Sequence, residues 1–126
     1  MKFEALQNAA RVAKNGVVLV ATADGQGTPH VAAAHEFSKP DKEHVSVAAW
    51  FHPRTVSNVG KNLRISVVVW SPDEGRGYQL IGKVENVREL ATVAGYTPAR
   101  EEKEGKSHLA RKLLIRVDEA LDFKPR

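Results

Sequence analysis

Six runs rich in β-branched and small apolar residues, each closed by a turn signal, constrain this chain more than any other feature: VVLVATA, PHVAAAHEF, HVSVAAWF, RISVVVW, YQLIGKVENV and LLIRVDEALDF. Runs of this length and composition are strands. VVLVATA has the continuous apolar character of a strand buried on both faces. In HVSVAAWF, Val45, Val47 and Ala49 alternate against Ser46. The breaks between runs are short. Asp24-Gly25 supplies the positive φ of a tight hairpin turn, KPDK is a second turn, and SPDEGRG a third. Strands joined by such turns pair antiparallel. With so many strands and so little helix, closure into a barrel removes the exposed edges. The expected fold is mainly β, a six-stranded antiparallel barrel with a few short helices.

Two helices are written into the gaps. In FEALQNAARVAK, Phe3, Leu6, Ala10 and Ala13 recur at helical spacing, and Asn15-Gly16 ends the helix. Pro53 suits a first helical turn, where no N–H is needed. At about 100° per residue, Val56, Val59 and Leu63 share one side of the segment that follows. Arg54, Asn58 and Lys61 share the other. PAREEKEGKSHLARK is a charged stretch with helical i, i+4 pairs and no assigned chemistry.

The 126 residues suit one domain, residues 1–126, and no internal repeat or linker divides them. The absence of cysteine excludes disulfides, thiol nucleophiles and Cys-ligated metals. The N-terminus has scattered charges and no apolar signal core, and no run is long enough to span a bilayer. A cytoplasmic protein without membrane attachment is expected. A net charge of +4 permits a phosphate or nucleic-acid partner, but aromatics make up only 6% of residues, which weighs against stacking on single strands.

The chemistry concentrates between Trp50 and Trp70, in WFHPRTVSNVGKNLRISVVVW. Here Arg54, Thr55, Ser57, Asn58 and Lys61 crowd a helix start between two core strands. A helix N-terminus has free N–H groups and a positive dipole end. Arg54 can grip two oxygens, Thr55 adds a hydroxyl, and Lys61 adds charge a turn later. The pattern is that of a phosphate cradle, and equally that of a solvated helix face. Trp50 and Trp70 either fill an interior or wall a flat ring. Other motifs fail on spacing. Gly25-x-Gly27 lacks the third glycine and following helix of a dinucleotide fingerprint. The five histidines contain no i, i+4 pair, and His30 and His35 fall on opposite faces of one strand, so no metal site is assigned. No Gly-x-Ser-x-Gly elbow is present.

Three blocks in order, GVVLVATADGQGTPHVAAAHEF, HVSVAAWFHPRTVSNVGKNLRISVVVW and GYQLIGKVENV, resemble the split-barrel superfamily of pyridoxamine 5′-phosphate oxidase, and within it the small FMN-binding proteins. The likeness runs from about residue 4 to 88, and more weakly to the last strand. It implies a Greek-key split barrel that forms a homodimer, with FMN at the dimer interface. It places the FMN phosphate on Arg54 and Thr55, with Asn58 and Lys61 close by. The isoalloxazine would run along His30, Val31, Ala32, Ala33, Ala34 and His35, beside Ala49 and Trp50. The AAAH of the second strand, and the lack of further arginines for pyridoxal phosphate, point away from vitamin B6 oxidation. The implied function is electron or hydride transfer by a flavoprotein, with no catalytic acid or base assigned and its standing as an FMN-dependent oxidoreductase open. The alternative is a ligand-binding module of the same fold, holding another phosphorylated ligand, haem, a deazaflavin or nothing.

Overall fold

All six apolar runs form strands. The computed structural model describes residues 2–125, and side chains from residue 4 onward; the Phe3 position of the first helical stripe lies outside the described side chains. The order is α1 (Lys2–Ala13), β1 (Val17–Ala23), β2 (Pro29–Ser38), β3 (His44–Ala49), α2 (Pro53–Lys61), β4 (Arg64–Ser71), β5 (Arg76–Thr92), α3 (Pro98–Glu104) and β6 (Leu109–Phe123). The strands close into an antiparallel barrel in the order β1-β2-β3-β6-β5-β4, with β1 pairing β4 to complete the ring. The expected barrel is therefore present, and β3–β6 is the long-range pairing that makes it a Greek key.

The interior is built by period-2 alternation. Val18 and Val20 of β1, Ile65, Val67 and Val69 of β4, Leu80 of β5, and Leu113, Ile115 and Val117 of β6 all face inward. β1 differs from the expectation of a strand buried on both faces. Its alternate residues Leu19 and Ala21 are only half-buried, because the outer side of β1 carries no helix. β3 differs in the opposite sense. Val45 through Ala49 are all buried, and the Ser46 hydroxyl meets that of Ser38 at 2.5 Å.

Helix α1 packs through Leu6, Ala9 and Val12, with Ala13 partly buried against the core. The inward stripe is thus one position away from the expected Ala10. Gly16 is required where α1 turns into β1, since a Cβ there would lie 2.3 Å from the carbonyl oxygen of Trp70. In the β1–β2 turn the positive φ falls on Gly27 (86°), not Gly25. The turn is held instead by the Asp24 carboxylate, which accepts N–H bonds from Gln26 (2.8 Å) and Thr28 (2.9 Å). β2 bulges at Glu36, whose φ is 50°, and the register with β3 shifts between His35 and Ser38.

β5 and β6 extend beyond the expected runs into a long hairpin capped by α3. Much of this arm is exposed on both faces, so its apolar alternation is weak in the sequence. Residues 109–112, expected within the charged stretch, belong to β6. α3 is about two turns long with a single buried residue, Glu101. Its carboxylate takes two bonds from the Arg111 guanidinium (3.0 and 3.3 Å) and one from the His108 N–H (2.9 Å). The helix is therefore docked by a buried ion pair and not by apolar packing.

Candidate cofactor site

α2 begins with His52 at its N-cap and Pro53 in its first turn. The buried side is Thr55, Asn58 and Val59, with Val56 partly buried against the core; of the expected stripe Val56, Val59 and Leu63, only Leu63 turns away. Leu63 lies beyond the helix and is exposed. Asn58 joins the buried side through a polar contact: its amide donates to the Thr22 hydroxyl at 3.1 Å, pulling that face of α2 onto β1. A buried amide is tolerated there because it is hydrogen-bonded.

The first N–H groups of α2 are all accounted for. Pro53 has none. The Arg54 N–H donates to His52 Nδ1 at 3.0 Å, and the N–H groups of Thr55 (2.9 Å) and Val56 (3.3 Å) donate to the His52 carbonyl. The expected free donors of a helix start are thus engaged by one residue, His52. The His52 ring also faces that of His30, with centroids 5.6 Å apart and planes at 44°. His30 sits opposite Thr22 in the β1–β2 ladder, so the same strand end presents both to α2. Burial pushes the His30 pKa below its ordinary 6.5, and the neighbouring His52 and Arg54 charges push it further down. His30 Nε2 is buried without a hydrogen-bond partner.

In front of α2 lies an open basin of about 780 Å³. Arg54, Ser57, Asn58 and Lys61 line it from the helix, Asp24, Gln26 and Thr28 from the β1–β2 turn, and Glu102 and Gly105 from the end of the β5–β6 arm. Among the described residues the Arg54 and Lys61 side chains have no hydrogen-bond or ion-pair partner. Asp24 is held below the usual carboxylate range by the Thr28 and Gln26 N–H groups, with a further small pull from Arg54. Its carboxylate is therefore committed to the turn.

The structure brings together Arg54, Asn58 and Lys61 of the expected cradle and separates Thr55 from them. Thr55 is 1% exposed, has no partner for its hydroxyl, and lines a different hollow of about 420 Å³ with Phe51, Val59 and Arg111. Helical geometry explains this, since Thr55 is 100° from Arg54 around the axis. The strand residues divide by pleat. His30 and Ala32 are half-buried and Ala34 is buried, whereas Val31, Ala33 and His35 are exposed. His35 meets Ala49 and Trp50 in a small hollow of about 110 Å³ with Glu36, Ala48, Leu90 and Ala110. Trp50 is 47% exposed there, so it fills no interior, while Trp70 packs edge-on against Phe123 at 5.7 Å.

The sequence reading missed His52, Asp24 and Glu102. The first two left signals, a residue before a helix-opening proline and an Asp-Gly turn. Glu102 left none, because only the closed β5–β6 arm brings it to the basin. The residues present fit a phosphate group: Arg54 in the first turn of α2 and Lys61 in its last turn line one basin without partners, and Asp24 on the basin's rim has Oδ1 held by backbone N–H groups. Among the described residues no three His, Asp or Glu side chains converge as metal ligands, and no helix is long and apolar enough to cross a membrane.

The family model for pyridoxamine 5′-phosphate oxidase matches residues 6–123. The fold is similar to HupZ of Group A Streptococcus, with a TM-score of 0.68 at 16% identity, covering 94% of this chain and 93% of that one. It is also similar to an FMN-binding protein from Syntrophomonas wolfei, with a TM-score of 0.65 at 14% identity, covering 100% of this chain and 90% of that one. An F420 reductase gives a TM-score of 0.62 at 20% identity, covering 89% and 94%. No curated protein sequence matches the chain.

Proposed function

Because the chain belongs to the pyridoxamine 5′-phosphate oxidase family, we propose that it is a small flavoprotein that binds FMN and transfers electrons or hydride. The observation that carries this reading is the pair of unpaired cations, Arg54 in the first turn of α2 and Lys61 in its last, that line one open basin. In this reading Arg54 and Lys61 hold the phosphate, and Asn58 fixes the helix to β1 so that both point into the basin. The ring lies toward His35, Ala49 and Trp50, where an exposed aromatic face and small alanines leave room for a flat group. When bound, FMN supplies reversible one- or two-electron transfer. The chain's own contribution is binding, orientation and exclusion of water; no side chain is assigned a proton-transfer role.

Trp50 and Leu90 beside that hollow, and Val87 and Leu63 beside the neighbouring one, are exposed apolar residues. The reading covers them with a second copy of the chain, so that the ring sits between subunits. The likeness to an F420 reductase favours a second reading, in which the basin takes a phosphate of F420 and the ring hollow its flat head.

The absorbance spectrum of the freshly purified protein tests the proposal. A flavin spectrum whose pigment is released on denaturation is expected. A colourless protein that leaves the spectrum and fluorescence of added FMN unaltered contradicts it.

A further inference from the structure

We infer that His52 is a proton-operated gate on the anion basin: its neutral ring occupies the Arg54 N–H, and taking up a proton on Nδ1 frees that N–H for a phosphate oxygen. This rests on reading the basin as the phosphate end of the ligand site.

The argument is one of donors and acceptors. An anion at a helix start is held by N–H groups that point out of the first turn. Here Pro53 contributes none, and those of Thr55 and Val56 are turned back to the His52 carbonyl. The Arg54 N–H is the remaining one, and it is bonded at 3.0 Å to a ring nitrogen that can accept only while it lacks a proton. A phosphate therefore meets a helix start whose backbone donors are all in use. Protonation turns Nδ1 from acceptor into donor, so the His52–Arg54 bond cannot survive. His52 is exposed, which lets the ring swing outward without uncovering core. The event also adds a positive charge beside Arg54, at the rim of the basin that Lys61 also lines. Neutral His52 is thus a competitor of the phosphate, and protonated His52 an ally.

The groups facing His52 decide where the proton goes. His30, from β2, is the nearest titratable ring, and burial, then the His52 and Arg54 charges, push its pKa below the ordinary 6.5. Arg54 follows two residues later on α2, and Lys61 lines the same basin from that helix's last turn. Asp24 in the β1–β2 turn is committed to the Thr28 and Gln26 N–H groups, and Glu102 on α3 lines the far side of the basin. An incoming phosphate dianion offsets the two cations, and its bond to the freed Arg54 N–H favours the proton on His52. No bond other than the hydrogen bond is exchanged, and the proton comes from solvent.

The test uses inorganic phosphate as probe and the ring C–H signals of His52 followed by NMR against pH. Saturating phosphate is expected to move the His52 titration midpoint upward by about one pH unit, the linkage counterpart of a tenfold preference for the protonated form. His52→Asn is the control, because asparagine caps a helix equally well and cannot be protonated. FMN binding, measured by calorimetry in buffers of different ionisation enthalpy, is expected to take up more protons in the wild type than in His52→Asn. The phosphate's own second ionisation, near about pH 6, is common to both and cancels in the difference. A His52 midpoint indifferent to phosphate, or equal proton uptake by both proteins, overturns the gate. FMN failing to bind either protein overturns the flavin reading instead, while the inorganic-phosphate arm still decides the gate.

Discussion

Arg54 and Arg111 lie at opposite sides of α2 and are used in opposite ways. Arg111 is buried, with Glu101 on its guanidinium at 3.0 and 3.3 Å and the Leu109 carbonyl at 3.3 Å. Both terminal nitrogens of the guanidinium find internal acceptors, and the result is a latch that docks α3 on β6. Arg54 is exposed, and its guanidinium has no partner among the described residues. A charge that cannot leave water without a counter-ion is paired when the fold encloses it. One left facing a hollow next to a second free cation is available to a ligand. The two regions thus separate what charge does for stability from what it does for binding, and substitutions should separate the same way.

The largest effect is expected at the latch. Arg111→Met leaves the Glu101 carboxylate buried without its cation and should cost about 3–5 kcal/mol in urea denaturation. Glu101 also sets a pH signature. Burial acts to raise its pKa, but the Arg111 bonds and the His108 N–H outweigh it and hold the group below its ordinary 4.5. A depressed folded pKa gives stability that is complete above about 4.5 and lost as pH falls through the lower folded value. Acid unfolding of Glu101→Gln should lack that component. A latch variant as stable as the wild type would collapse the distinction between the two arginines.

Next in size is Arg54→Ala, which should weaken FMN binding roughly tenfold to hundredfold in a fluorescence titration. Its stability should stay within about 0.5 kcal/mol of the wild type, as for most exposed positions. Asn58 joins the two regimes, since it lines the basin and also bonds Thr22 across a buried contact. Asn58→Ala should cost about 1–3 kcal/mol of stability by stranding the Thr22 hydroxyl, and should weaken FMN binding less than Arg54→Ala does. The smallest effect is expected at a half-exposed cluster around His44, at the start of β3. His44 lies 2.9 Å from Asp41 and 2.7 Å from Glu85. The Asp41 and then the Glu85 hydrogen bonds raise its pKa above 6.5. The stabilisation is therefore complete below about 6.5 and fades as pH rises through the higher folded value. The stability gap between wild type and His44→Gln should be wider at acidic pH than at alkaline pH.

The strands were legible because their alternation is local: Val18, Val20, Val67 and Val69 announce an inward face within a few residues. Closure was legible as a consequence, through the edges it removes. What the sequence obscured depends on meetings far along the chain. Asn58 looks like a surface amide until Thr22 is brought to it, and Thr55 shares a motif with Arg54 but not a side of the helix. The exposed β5–β6 arm has little apolar contrast, so its length and the assignment of Arg111 to β6 were hidden in a charged run. Glu101 and Arg111 are ten residues apart and read as solvated charge, yet they form a buried pair. Of the candidate site, the helix and the cations in its first and last turns could be read directly, whereas His52's hold on the Arg54 N–H required the folded turn.

The central claim is that the start of α2 recognises a phosphate carried by a flavin. Paired titrations with FMN and riboflavin, which share the ring and differ in the phosphate, test it most directly. The wild type is expected to bind FMN at least tenfold more tightly than riboflavin, and Arg54→Ala to close most of that gap. Equal affinity for the two flavins in the wild type, or a preference for FMN that survives loss of Arg54, would contradict it.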